Sequence, residues 1–305
     1  MFFKNLYLFR FDAAALALTA ETLERDFAEK RLRDVGPIEL CTKGFVTPLG
    51  RGTDALVHAV ENYALFAIGT QERLLPSDVV NKELSNRLEA LREKTGRRPG
   101  GRERKRIKEE VITDLLPRAF VRETRTFAYL DLNLGWLVVN TATGSVAESV
   151  VTIIREALGS FPAVPMAPDE SPRVLMTDWV ATGRLPDGLV LGDECELRDP
   201  VESGAIVRCK RQELETDEVR EHLKSGKQVF RTALTFNDRL AFVLTEDLIV
   251  RSLHFLDVVQ DELDESCRES AIAELDAIFS LQVLELLRLL AWIEHTFKVK
   301  PATAR

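Results

Sequence analysis

Two apolar stripes, each a single residue wide, constrain this chain more than any other feature. Val80, Leu84, Leu88 and Leu91 recur at helical spacing, and after Pro99-Gly100-Gly101 the series Ile107, Val111 and Leu115 does the same. Pro76-Ser77 supplies a start signal with Ser77 as N-cap, Thr95-Gly96 a stop, and Pro117 closes the second series. Stripes of similar length joined by a short turn predict two antiparallel helices zipped together. A stripe this narrow covers its partner helix and little else, so the pair is expected to project from the body that carries it.

The turn end of the hairpin is densely cationic. From residue 97 to 108, Arg97, Arg98, Arg102, Arg104, Lys105, Arg106 and Lys108 stand against Glu103 alone. A charge run is ordinarily a solvated face, and a net charge of -8 argues against a polyanionic partner. Charge is segregated along the chain, however. Residues 82–108 hold eleven basic and four acidic side chains, whereas residues 257–276 hold eight acids and Arg268. A phosphate backbone responds to the field within about 8–10 Å, so the local balance decides. Cations on a protrusion are placed to meet a polyanion.

Hydrophobic residues at 45% and charged residues at 30% describe a globular chain with a real core. The N-terminus has no apolar run of signal-peptide length, and the apolar stretch 281–293 is broken by Gln282, Glu285 and Arg288, so no membrane span is expected. Cys41, Cys195, Cys209 and Cys267 lie far apart without paired spacing, which favours reduced thiols in a cytosolic protein.

The patterning predicts an α+β protein built of β-α-β units with antiparallel sheets, the helical hairpin and an apolar C-terminal helix. Residues 3–11 read as a strand, 19–32 as an amphipathic helix and 63–68 as a strand; Gly50-Arg51-Gly52 reads as a turn. Residues 126–130 and 136–140 form a hairpin, followed by a helix over 146–158 and a linker over the proline-rich 161–172. Strands follow at 205–211, 228–236, 239–245 and 248–255, with a helix at 216–225 and Asn237-Asp238 as a tight turn. The helix over 268–297, apolar on nearly every face after Ile278, is either deep core or a subunit interface. The expected domains are a central α+β domain (1–75 and 118–165), the basic hairpin (76–117) and a C-terminal α+β domain (173–305).

Chemistry-bearing motifs are sparse. No Gly-x-x-x-x-Gly-Lys-Ser/Thr loop occurs, and His58, His222, His254 and His295 lack ligand spacing. Asp193, Glu194 and Glu196 form the one carboxylate cluster, with Glu194 and Glu196 on one strand face; a magnesium-dependent nuclease would need further acids converging there. In the strand at 205–211, alternation sends Arg208 and Lys210 to one face, with Arg211 and Gln212 at its exit. Arg231, Arg239 and Arg251 on neighbouring strands are candidates to extend that cationic surface.

These residues carry a resemblance. Phe3-Lys4-Asn5-Leu6, Leu74-Leu75-Pro76, Leu115 to Phe120, Gly192 to Leu197 and Arg208 to Leu214 match, in order, the recombination-associated RdgC family of bacteria, a likeness running from Phe3 to about Cys267. The resemblance implies a non-enzymatic protein that binds duplex DNA without sequence preference as a ring-shaped homodimer. It also implies antagonism of the RecA recombinase and a cytoplasmic, nucleoid-associated location. Lys210, Arg211 and Gln212 match the family's basic strand exit facing the hole, and Phe120 matches an aromatic used in ring closure. The family's usual wording beyond Cys267 is absent here.

The expected function is therefore a double-stranded DNA clamp that limits RecA access. Its contacts are Arg97, Arg98, Arg102, Arg104, Lys105, Arg106, Lys108, Arg208, Lys210, Arg211 and Gln212, with Phe120 at the dimer interface and no cofactor or metal. The alternatives are the nuclease above and an interaction module built on the acidic 257–276 stretch.

Overall fold

The computed structural model describes residues 2–49, 53–201, 204–263 and 270–300; Gly50-Arg51-Gly52 and residues 264–269 of the acidic 257–276 stretch lie outside them. The chain forms two compact units, one of residues 1–29, 47–67 and 126–305, the other of residues 30–46 and 68–125. The class is α+β, with antiparallel ladders throughout the described strand pairs.

The larger unit opens with β1 (Tyr7–Arg10), α1 (Ala13–Leu16) and α2 (Ala20–Ala28). Thr19 and Thr22 close a capping box at the start of α2, and Leu23 and Phe27, one turn apart, bury its apolar face. The Glu24 carboxylate accepts from the backbone N–H groups of Leu56 and Val57. β2 (Cys41–Val46) belongs to the smaller unit, while β3 (Val57–Val60) pairs with β4 (Tyr63–Arg73), an eleven-residue strand that begins in the larger unit. The smaller unit adds α3 (Ser77–Thr95), α4 (Gly101–Leu115), a 3-10 turn at Leu116–Arg118 and the start of β5 (Val121–Asp131).

The rest belongs to the larger unit: β6 (Trp136–Val139), α5 (Gly144–Leu158), β7 (Val164–Pro165), α6 (Pro172–Thr182), β8 (Leu189–Arg198) and β9 (Ile206–Lys210). Then come α7 (Asp217–Lys224), β10 (Gln228–Phe236), β11 (Leu240–Thr245), β12 (Val250–Phe255), α8 (Asp257–Gln260) and α9 (Ala271–Phe297). Its second sheet has the order β12-β11-β10-β8-β9. Asn237 and Asp238, both left-handed, turn the chain from β10 to β11.

Alternation in β10 sends Thr232, Leu234 and Phe236 into the core and leaves Arg231 on the opposite face. The core face packs with Met176 and Trp179 of α6 and with Leu286, Leu289, Leu290 and Ile293 of α9. The apolar C-terminal helix is thus core of its own unit, which removes it as an argument for an interface between copies. The proline-rich stretch is no slack linker either, since Phe161 is fully buried and Val164-Pro165 pairs with β1. The first strand is shorter than its alternation suggests; Phe3 instead donates its N–H to the buried Gln282 side chain. No helix among the described residues is long and apolar enough to cross a membrane.

Candidate nucleic-acid interface

In the smaller unit α3 and α4 zip together through Val80, Leu84, Ile107 and Val111, all buried, with Leu88, Leu91 and Leu115 partly so. Arg87 stitches the pair by bonding Glu83 one turn before it (3.1 Å) and Asp114 on α4 (2.9 Å). α3 stops where Gly96 turns left-handed and its N–H reaches the Arg92 carbonyl. Nothing lies within 4 Å of a Cβ placed on Gly96, Gly100 or Gly101, so the turn is open to solvent.

Arg97, Arg98, Arg102, Arg104, Lys105, Arg106 and Lys108 are all exposed around this turn. Arg97 pairs with Glu103 at 3.0 Å and Arg106 with Glu110 at 3.5 Å. Among the described residues Arg98, Arg102, Arg104, Lys105 and Lys108 form no ion pair, which leaves a cationic surplus held near one end of a hairpin. Exposed pairs such as Arg97–Glu103 contribute little in water, about 0–1 kcal/mol, and exchange readily for a phosphate oxygen.

The other end of the hairpin is clamped. Arg73 donates to the carbonyls of Gly36 (3.1 Å), Leu116 (3.0 Å) and Ala119 (3.3 Å), fixing the turn after α4. The next residue, Phe120, is 84% exposed, while its carbonyl accepts from the Leu74 N–H. An aromatic ring left in water beside a backbone held this firmly is available to a second surface.

The larger unit presents its own charged face, the outer side of the second sheet. Register sets Glu194 opposite Lys210 and Glu196 opposite Arg208. The pairing produces a network that the spacing of the cations alone does not reveal. Glu196, 1% exposed, accepts from Arg198 Nε (2.8 Å) on one oxygen and from Arg208 Nε (2.8 Å) on the other, with Arg231 at 3.3 Å. Burial pushes the Glu196 carboxyl upward, but the hydrogen bonds from Arg198 and Arg208 and the Arg231 charge outweigh it, so its pKa falls below the ordinary carboxylate range. Glu194 meets Lys210 at 3.7 Å and Arg231 at 3.3 Å.

Arg211 leaves the strand in a left-handed conformation (φ 55°), and the Gln212 N–H donates to the Asp193 carbonyl at 3.4 Å. Arg208, Lys210, Arg231 and Arg251 thus gather on one face, joined by Arg198, which follows Glu194 and Glu196 at alternate positions of β8, the local signal that sequence reasoning overlooked. Arg239 does not extend this face: it is spent on Glu285 (2.9 Å) and Glu262 (2.7 Å), which hold it protonated. The carboxylate trio does not converge as a metal site requires. Asp193 is exposed, Glu196 is saturated by guanidinium groups, and no cluster of three possible ligands occurs among the described residues.

Known proteins place the chain. Residues 1–300 match the family model described as "Putative exonuclease, RdgC". The chain is 46% identical to the recombination-associated protein RdgC of Xanthomonas campestris pv. campestris (strain B100) over 305 residues, covering all of both chains. It is 45% identical to that of Xanthomonas axonopodis pv. citri (strain 306) and 44% identical to that of Stenotrophomonas maltophilia (strain R551-3), each over 303 residues, or 99% of this chain and all of the relative. With full-length matches of this kind the chain belongs to the RdgC family.

Proposed function

We propose that this protein is a sequence-independent duplex-DNA clamp, a ring-shaped homodimer that acts in recombination by limiting the access of RecA to DNA in the nucleoid. The observation that carries the reading is the cluster of exposed cations on the α3–α4 turn, five of them without an ionic partner among the described residues. Exposed Lys and Arg side chains bond phosphate oxygens and position a protein without reading bases. The sheet-face cations Arg208, Lys210 and Arg211, with Gln212, supply a second set of contacts, and Phe120 closes the ring between subunits. The relatives are named for recombination, which is DNA work.

Neutralising phosphates releases condensed counterions, so the logarithm of affinity falls with the logarithm of salt at about 0.9 per contact. With six to ten contacts, affinity for a duplex drops roughly 10³–10⁵-fold between about 50 and 200 mM salt. Fluorescence anisotropy on duplexes of unrelated sequence checks this; a flat response or strong sequence preference defeats the reading.

A second reading, an exonuclease, is favoured by the description of the family model. The protein incubated with linear and nicked duplex plus magnesium decides between them. Product formation lost in Glu194→Ala and Glu196→Gln establishes the enzyme, and intact DNA with retained binding establishes the clamp.

A further inference from the structure

A recess of about 390 Å³ opens on the outer face of the second sheet, lined among others by Asn5, Glu194, Lys210, Arg231, Arg251 and Ser252. Three cations there face one carboxylate. Arg251 forms no ion pair among the described residues, and the buried Arg231 Nε has no hydrogen-bond partner. Three cations against one carboxylate leave a local positive surplus, and Arg251 has no internal anion among the described residues to offset it, so the recess favours an oxyanion. The opposite wall is prepared for one. Ser252 takes a left-handed backbone (φ 49°) and its N–H is consumed by Asn5 Oδ1 at 3.2 Å, which leaves the Ser252 hydroxyl and the Asn5 amide NH2 as donors. Asn5 is itself fixed, since its N–H donates to Asn140 Oδ1 at 3.2 Å.

We propose that this recess is a phosphate subsite, taking one phosphate group between Lys210, Arg231 and Arg251, with Glu194 as the built-in competitor. Glu194 holds Lys210 and Arg231 at 3.7 and 3.3 Å, long contacts that a phosphate oxygen replaces at hydrogen-bond distance. Glu196 keeps its hydrogen bonds from Arg198 and Arg208 whether or not Arg231 turns to the phosphate, so most of the network beneath survives the exchange. The phosphate is a diester of a nucleic-acid backbone or a free phosphate ion. The diester source deepens the clamp reading and rests on it; the free ion does not.

The two sources separate in one experiment on the full chain, with inorganic phosphate and a 20-base-pair duplex titrated in parallel at fixed chloride. For whichever probe binds in the recess, Arg251→Gln weakens binding on the order of tenfold and Glu194→Gln tightens it several-fold, as loss of one charge-assisted partner or one internal rival demands. On the duplex arm Arg251→Gln also lowers the salt slope by about 0.9. Arg251 stands outside the Glu196 network and Glu194 touches it only through Arg231, so circular dichroism and urea unfolding check that both variants fold as wild type. The gain for Glu194→Gln carries the test, since a merely structural ion pair or a metal ligand gives a loss. Phosphate binding with these shifts and no duplex binding keeps the subsite and fells the clamp. Duplex binding indifferent to both variants, with no shift on the phosphate arm, keeps the clamp and overturns the subsite.

Discussion

Glu196 is almost completely removed from water yet ionised, because three guanidinium groups replace its hydration. Removing its charge takes the stronger partner from each of those bonds while keeping the shape. Glu196→Gln is therefore expected to cost about 2 kcal/mol at neutral pH, the scale of a hydrogen bond to a charged group. The pH dependence has a definite sign. A carboxyl whose folded-state pKa lies below its unfolded value contributes fully above the unfolded value, near pH 4, and the contribution disappears as pH falls through the depressed folded value. Urea denaturation should show a gap between wild type and Glu196→Gln that is wide at pH 7 and narrows towards pH 3. A gap constant with pH would mean that packing, not ionisation, is what the side chain supplies. The alternation of Arg208 and Lys210 was legible in the chain, but their partners were not, because register between β8 and β9 is fixed by pairing across a loop rather than by local pattern.

At the scale of elements, the hairpin was the most readable part, since its stripes, its stop at Gly96 and its turn are all local signals. α9 was read as apolar all round, and only the fold shows where that apolar surface goes: Leu286, Leu289 and Ile293 are fully buried against the second sheet. Short pieces such as β2 and β3 escaped notice because four to six residues carry too few repeats for a period to stand out. The two helices accordingly respond differently to substitution. Leu286→Ala should lower stability by about 2–5 kcal/mol, equally at low and high protein concentration, since the cavity lies within one chain. A thermal midpoint that changes with concentration only in the variant would restore α9 as an interface. On the hairpin, charge reversal of Arg97, Arg98, Arg102 and Arg104 touches exposed side chains and leaves the buried Val80, Leu84, Ile107 and Val111 in place. Unfolding should shift by less than about 0.5 kcal/mol for each, whereas duplex affinity falls uniformly across sequences. Unchanged affinity would show the turn to be solvated without a partner.

At the scale of the whole molecule, a clamp needs closure, and closure needs a contact that each protomer leaves open. Phe120 meets that description: its ring is 84% exposed, its backbone is pinned through Leu74, and Arg73 fixes the preceding turn. Its hydrogen-bonded neighbour Leu74 and its chain neighbour Val121 are exposed too, as is Leu40 elsewhere in the same unit, so this unit shows several large hydrophobic side chains to solvent. Burying an aromatic ring in a partner contributes about 1.5–3 kcal/mol, and a two-fold interface uses the contact twice. Phe120→Asp removes both copies and sets a charge where an apolar surface must meet another. The protomer should remain as stable as wild type to within about 0.5 kcal/mol, because the ring touches little of its own chain. For the proposed dimer, light scattering should then show a dissociation constant raised at least tenfold, and the lifetime of the complex on a circular duplex, which offers no end to slide from, should shorten in step. A variant that dimerises as before, or that loses the fold along with the dimer, would mean that closure is made by some other surface.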